Sequence, residues 1–402
     1  MMKDHYRILI VADTHIGAER RPWLRKVGVT PEQYDAPLRE AVKWFRDNAA
    51  DMLIVAGDVF DQRNPLPGDY ARAQKIYPAN TVYVAGNHDI SAQGDVNALW
   101  WSDGYAMSGR PSLIEPYGTA RNPGVQIVCL PWPRPSDYNA DKITGWTIRE
   151  EIARTRQAIL EDLNDIAVND IDQTRPAILV GHAMVSYGNT TPDDPGLMLG
   201  KDVVLPYESL TSLPNIGGVY LGHVHDPSSP AYVGSTQPTD WGEADQVKSF
   251  TVVDITKVDP DSLFIQSAAD LIQEVGEPII VNGWRYITRQ IPYTTSLKLA
   301  TVSNEDYELA GDYDGVRLTW TVREGDDPEQ LAIAERALRD QHPYVEVIVE
   351  HEVKRAARVE TIEPLAKMSP MDALGVWLEQ RETPGDDHRA VEMMAHEIIS
   401  DQ

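Results

Sequence analysis

The sequence predicts an α/β protein: buried strands in a layered sheet or pair of sheets, with helices packed outside. Three observations predict it. Short aliphatic or β-branched runs recur through the first 255 residues, each run ends in Gly, Asp, Asn or His, and amphipathic helical segments lie between them. Runs that are apolar at every position suit strands covered on both faces. Their alternation with one-sided helices gives layers around a shared core.

The strand runs cover residues 8–12, 52–56, 81–85, 177–180 and 219–221, with further strands at 125–130 and 250–255. Between the first two lies a helix with clear start signals. Thr30 caps it, Pro31 takes its first position and Gln33 completes a capping box. Its apolar stripe is Tyr34, Leu38, Ala41, Val42 and Phe45, at spacings of three and four. A second helix spans 148–168. Together these elements make a first domain over residues 1–270.

Residues 278–353 form a second, smaller α+β unit. Strands at 278–281, 284–291 and 315–322 precede a helix at 328–341 and a strand at 345–349. Residues 354–368 connect it to a tail domain at 365–402 with two short amphipathic helices. Ser369 and Pro370 open the first, whose face is Met371, Leu374, Trp377 and Leu378. Val391, Met394, Ala395 and Ile398 line the second. No apolar run reaches the roughly 18 residues a spanning helix needs, and the N-terminus lacks a signal-peptide pattern. The lone Cys129 cannot form an internal disulfide. These features lead us to expect a protein of the reducing cytoplasm with no membrane association.

Five polar clusters stand in order at strand ends: Asp13 and His15 (ADTH), Asp58 and Asp61 (GDVFD), Asn87, His88 and Asp89 (GNHD), His182 (GHAM), and His223 and His225 (GHVH). Carboxyl ends of strands are where α/β folds place ligands. In Asp-x-His and His-x-His after a strand, residues two apart point the same way, so both side chains reach one site. Mixed carboxylate, imidazole and amide oxygen donors suit Mn²⁺, Fe²⁺ or Zn²⁺. A carboxylate can bridge two ions about 3.5–4 Å apart, the separation that clamps both oxygens of a phosphoryl transfer. Gly57, Gly86, Gly181 and Gly222 immediately precede ligand positions and fit close backbone approach. Each short motif alone is near noise; the five in this order are not.

These residues resemble the calcineurin-like metallophosphoesterase superfamily, and most of all its SbcD branch of bacterial and phage DNA-end nucleases related to the meiotic-recombination-eleven nuclease. GDVFD followed by GNHD is that branch's form, and YVGSTQPTDWGEADQVKSF after GHVH resembles its Gly-Ser turn, acidic residue and closing Lys-x-Phe strand. The resemblance implies a four-layered α-β-β-α sandwich with a small capping, DNA-binding domain and a helical tail. It implies two divalent ions, Mn²⁺ being expected. One would be held by Asp13, His15, Asp58 and His225, the other by Asp58, Asn87, His182 and His223. His88 would be the acid that protonates the leaving sugar oxygen, with Asp89 orienting it from behind. Some family members carry a second functional histidine where this chain has Asp61, so no catalytic histidine is assigned there. DNA is the implied substrate. An SbcC-type, SMC-like ATPase docked on the C-terminal helices is the implied partner, and a homodimer the implied assembly.

Bland readings stand beside these. Arg20 and Arg21, with Arg25 and Lys26, form the only early basic cluster; they could contact phosphate or simply solvate a loop. Trp100 and Trp101 could stack on bases or pack a core. A phosphomonoesterase or cyclic-nucleotide phosphodiesterase would need nearly the same metal chemistry, and a non-catalytic scaffold could retain the ligands. The chain carries 36 Lys and Arg against 62 Asp and Glu, a net charge of −26. That is unusual for a protein that grips a polyanion. Either the charge serves solubility alone, or metals supply positive charge at the chemistry while a partner supplies the grip.

Overall fold

The computed structural model describes residues 3–90, 97–102, 105–115, 124–138, 146–188, 202–258, 278–304, 312–322 and 328–351. Its strands are β1 (His5–Val11), β2 (Met52–Ala56), β3 (Val82–Val84), β4 (Tyr105–Met107), β5 (Ser112–Ile114), β6 (Gln126–Leu130), β7 (Ala177–His182), β8 (Met184–Ser186), β9 (Val204–Pro206) and β10 (Val219–Gly222), followed by β11 (Ser249–Lys257), β12 (Ile279–Val281), β13 (Trp284–Pro292), β14 (Leu299–Ser303), β15 (Gly315–Val322) and β16 (Val345–His351). Its helices are α1 (Pro22–Val27), α2 (Pro31–Tyr34), α3 (Ala36–Asp47), α4 (Pro67–Ile76), α5 (Ile148–Asp165), α6 (Tyr207–Thr211) and α7 (Pro328–Gln341).

Two sheets face each other. The larger runs β12-β13-β11-β1-β2-β3-β4 and the smaller β10-β7-β6-β5. From β1 to β4 the pairings are parallel, as they are from β10 to β6. All these parallel strands therefore point their carboxyl ends the same way within each sheet. Ile8, Ile10, Ile54 and Val84 of the large sheet meet Ile127, Cys129, Ile178 and Val180 of the small one in a fully buried core. Behind the large sheet, Leu9, Val11, Leu53 and Val55 pack on Leu38, Ala41 and Val42 of α3 and Ala73 and Ile76 of α4. Behind the small sheet, Val128, Leu130 and Leu179 pack on Ile159 and Leu163 of α5. The result is the α-β-β-α sandwich, and it explains why these strands are apolar at every position.

The first helix begins at Thr30 with the expected capping box, but it is two helices. The chain breaks at Asp35, whose φ of −79° and ψ of −8° end α2 before Pro37 restarts α3. Pro37 has no N–H to continue the ladder, and the Asp35 carboxylate is taken by Arg72 from α4. Strands β12 and β13, expected in the second unit, belong to the large sheet. Residues 284–292 pair antiparallel with β11 along their whole length, and Trp284 and Tyr286 enter the core between the sheets. The sheet of the second unit is thus β14-β15-β16. By contacts the chain divides into Met1–Trp320 with Asp327–Ile348, and Thr321–Asp326 with Val349–Gln402. The expected tail helices lie outside the described residues. No helix among the described residues is long and apolar enough to cross a membrane.

One packing detail is testable. A Cβ on Gly217 would meet the Tyr286 ring at 2.1 Å, and that ring is buried with its hydroxyl accepting from the Ala177 N–H at 3.1 Å. Gly217→Ala is expected to cost about 1–3 kcal/mol by overpacking. Gly68→Ala, in open space on α4, is expected to be neutral or mildly stabilising. Urea titration of both variants checks the contrast.

Candidate dinuclear metal centre

The five clusters converge at the carboxyl ends of the two sheets. Asp58 is the shared member. Its Oδ1 accepts the His88 backbone N–H at 2.8 Å, which turns Oδ2 toward His182 Nε2 at 3.5 Å and His15 Nε2 at 3.9 Å. On one side, His15 Nε2 lies 3.1 Å from His225 Nε2, and His225 Nε2 lies 3.8 Å from Asp13 Oδ1. On the other, Asn87 Oδ1 lies 3.1 Å from His182 Nε2 and 3.3 Å from His223 Nδ1. All seven expected metal-binding residues therefore come together, in two groups that share Asp58.

The backbone is bent to achieve this. Asp13, His15, Asp58 and His223 all have positive φ, from 42° to 98°. Non-glycine residues rarely adopt that conformation, and such outliers cluster at functional sites. The turn at Asp13–Ile16 is pinned to the next strand's turn by three hydrogen bonds, Asp13 N–H to Gly57 O, His15 N–H to Asp58 O and Ile16 N–H to Val59 O. The glycines permit the approach. A Cβ on Gly57, itself at φ 89°, would lie 2.0 Å from His182 Nδ1, and one on Gly86 would lie 2.1 Å from Asp58 Oδ1.

The residues fit a pair of divalent cations. His182 Nδ1–H donates to Ala56 O at 2.9 Å and His225 Nδ1–H to Glu243 Oε1 at 2.8 Å. Each ring then turns its Nε2 into the site, toward Asp58 and Asn87 for His182 and toward His15 and Asp13 for His225. Buried acceptors facing acceptors need positive charge between them. Burial disfavours the charged imidazole of His182, but Asp58 and Asp13 outweigh it and raise the group to about 9. Burial likewise opposes ionisation of Asp58, yet the His182 and His15 rings hold its carboxyl below the usual range. Burial keeps His15 well below the ordinary imidazole value, and burial with the His182 charge brings His223 to about 3. Metal is held by neutral imidazoles and an ionised carboxylate, so a bound cation would take the place of the proton that Asp58 and Asp13 favour on His182.

The catalytic pair is arranged differently from the expectation. His88 Nδ1–H donates to the backbone carbonyl of Asp61 at 2.6 Å, so Asp61 fixes the tautomer and leaves Nε2 free for the site. Asp89 does not stand behind His88. Its buried carboxylate accepts from Val59 N–H and Gly86 N–H, both at 3.0 Å, and so ties the GDVFD turn to the GNHD turn. Arg20 and Arg21 are also committed elsewhere. Arg20 makes a two-pronged pair with Asp69, and Arg21 clamps the Asp61 carboxylate while donating to Thr239 O. Both arginines, expected to bind substrate, thus have carboxylate partners within the chain. Trp101 packs among Phe60, Tyr77 and Tyr83, whereas Trp100 is 76% exposed against Tyr70.

Sequence reasoning passed over two features. The Trp132 ring centroid lies 4.6 Å from that of His223 and 5.9 Å from that of His182, and its backbone N–H donates to Ala85 O. Its signal was a position just past strand β6. Glu243, which accepts a hydrogen bond from His225 Nδ1–H, also accepts from Thr239 Oγ1 at 2.6 Å and from the buried Lys248 ammonium at 2.5 Å.

Residues 6–227 match the family model described as calcineurin-like phosphoesterase. Among curated proteins, the chain is 24% identical over 221 residues to the D component of the nuclease SbcCD from Staphylococcus epidermidis, covering 51% of this chain and 55% of that one. It is 25% identical over 271 residues to the protein of that name from Bacillus subtilis, covering 62% and 66%. The match therefore spans between about half and two-thirds of those relatives. Among solved structures, a dimetal phosphatase from Danio rerio aligns at 16% identity with a TM-score of 0.38, over 63% of this chain and 95% of that one.

If these groups hold cations, removing them should destabilise the fold. At metal concentrations about 100 times Kd the expected stabilisation is about 2.7 kcal/mol. A chelator should lower the Tm and Mn²⁺ should restore it. Asp58→Asn, which weakens the member shared by both sites, should abolish the Mn²⁺-dependent shift.

Proposed function

The chain belongs to the calcineurin-like phosphoesterase family, a family of metal-dependent hydrolases with a dinuclear site, and from that premise we propose that it is an Mn²⁺-dependent nuclease acting on DNA ends with an SbcC-type ATPase. The observation that carries the reading is the pair of ligand groups on Asp58 with His88 beside them. His15 and His88 have ring centroids 5.0 Å apart.

When bound, two divalent ions supply Lewis-acid activation of water and of the phosphate ester. The chain's own residues do the rest. Asp13, His15, Asp58 and His225 would hold one ion; Asp58, Asn87, His182 and His223 would hold the other. His88 is fixed through Nδ1–H to Asp61 O, which leaves Nε2 facing the site, and as an imidazolium the ring would deliver its Nε2 proton to the leaving sugar oxygen. Asp89 keeps the two turns that bear Asp58 and His88 in register. A diester leaving group needs such an acid.

The relatives named as nuclease components favour DNA over a small ester. The small unit, expected to cap the site and touch DNA, is acidic: residues 299–351 carry 4 Lys and Arg against 13 Asp and Glu. That charge leaves most of the hold on phosphates to the metal centre and the partner. We place the partner's docking surface on the C-terminal tail, the assembly as a homodimer and the enzyme in the cytoplasm.

The test is cleavage of end-labelled duplex and single-stranded DNA with Mn²⁺, Mg²⁺ or chelator, beside a small bis-ester. Mn²⁺-dependent DNA cleavage is expected, and His88→Ala should lower it about 10²–10⁴-fold with metal content unchanged. Full cleavage by His88→Ala would remove the acid role. Turnover of the ester with DNA left intact, even with the ATPase present, would favour a phosphomonoesterase or cyclic-nucleotide phosphodiesterase.

A further inference from the structure

One loop serves two masters. Residues 235–243 run under His225 and against the sheet β14-β15-β16 at once. On the metal side, Glu243 accepts His225 Nδ1–H, with Thr239 Oγ1 and Lys248 Nζ bonded to the same carboxylate. Ser235 Oγ donates to Gln237 O and lies 3.4 Å from Glu243 Oε2. On the other side, Trp241, two residues before Glu243 and in the same single turn, is gripped by that sheet. The Arg317 guanidinium of β15 lies 4.9 Å from its ring centroid, and Tyr344 stacks on it at 6.4 Å and 23°. Glu346 of β16 holds Arg317 in place through a charged pair at 2.7 Å. A Cβ on Gly315 would meet Trp241 Cη2 at 3.1 Å, so sheet and ring are in direct contact. The connector into β14 reinforces the seat. Ser296 Oγ donates to Thr236 O at 2.7 Å and Leu297 N–H to Gln237 Oε1 at 2.8 Å.

We propose that Trp241 is a positioning residue: the hold of the β14-β15-β16 sheet on its ring sets the place of Glu243, and through Glu243 the orientation of His225 in the metal centre. The inference rests on His225 being a ligand. Its physical content is that a ring nitrogen coordinates well only if the other nitrogen's proton has a fixed acceptor, and partners of that kind govern metal affinity about 10–100-fold. A 3-10 turn is short and stiff, so displacement of Trp241 carries to Glu243. Anything that shifts this sheet would then act on one half of the metal centre and spare the half built on Asn87 and His182.

The experiment is Mn²⁺ titration by calorimetry on the full chain. Wild type is expected to bind two ions. Trp241→Ala and Arg317→Met should each weaken one of them about tenfold and leave the other unchanged, and Trp241→Phe should recover most of the loss. Glu243→Gln should produce the same selective weakening. Trp241→Ala combined with Glu243→Gln should be no worse than the stronger single variant, because both act through one bond. Glu335→Ala, which removes an exposed pair with Arg339 on α7, should change nothing. Folded Trp241→Ala and Arg317→Met proteins that bind both ions as wild type does would overturn the coupling while leaving the metal centre intact. A wild-type chain that binds no ions would overturn the ligand reading itself, and this inference with it.

Discussion

A carboxylate buried to 3% exposure between two groups of imidazoles is the constraint from which the rest of the site follows. Asp58 must remain ionised to serve both groups, and burial makes that expensive. The compensation is assembled from several elements. His88 gives a backbone N–H, His182 and His15 present their rings, and Gly86 leaves the space that a side chain would take from Oδ1. The left-handed backbone at Asp13, His15, Asp58 and His223 is the conformational cost of bringing these groups to one point. That cost is borne by a scaffold of parallel strands, whose carboxyl ends are fixed by layers of apolar packing on both faces. The sheet sandwich is what makes a strained, charged centre sustainable.

Much of this was readable in sequence because it rests on local rules. A strand covered on both faces must be apolar throughout, so β1, β2, β7 and β10 announced themselves. Residues two apart after such a strand share a face, so the candidate metal-binding residues could be grouped before their convergence was seen. The misreadings share a cause: each depended on a partner distant in the chain. Asp89 follows His88 in sequence and was expected to support it, but its hydrogen bonds go to Val59 and Gly86 backbone, and His88 is held by Asp61. The helix break at Asp35 is stabilised by Arg72, 37 residues away. The pairing of β13 with β11 is a register between segments that no periodicity reveals.

Asp61 illustrates how one residue can serve through two chemistries. Its carbonyl accepts a hydrogen bond from His88 Nδ1–H, while its carboxylate is clamped by Arg21 and lies 4.0 Å from His15 Nδ1. Arg21 in turn donates to Thr239 O, the residue whose hydroxyl bonds Glu243. Through Asp61, Arg21, Thr239 and Glu243, His88 is thereby linked to the loop under His225, and the bonds made by the guanidinium and the two carboxylates are charge-assisted, hence stronger than neutral ones. An imidazole at position 61 could accept no such clamp from a guanidinium. The acidic residue is thus consistent with a site that uses one histidine acid and spends the neighbouring position on alignment.

The same accounting bears on the net charge of −26. Many of the arginines a polyanion might use are already engaged within the protein. Arg72 serves Glu19 and Asp35, Arg20 serves Asp69, Arg7 and Arg289 serve Asp254, and Arg317 serves Glu346. A guanidinium paired in this way gives little net attraction to phosphate at a distance, because its partner cancels its field. Positive charge available to a substrate would then come from cations held among Asp13, Asp58 and the histidines. An acidic exterior around a cationic centre favours a substrate delivered to the site over one captured by the surface at large. On the proposed reading, the seating of the β14-β15-β16 sheet and the docking of a partner would then be part of the chemistry, since they would decide whether a phosphate reaches the point that these residues build.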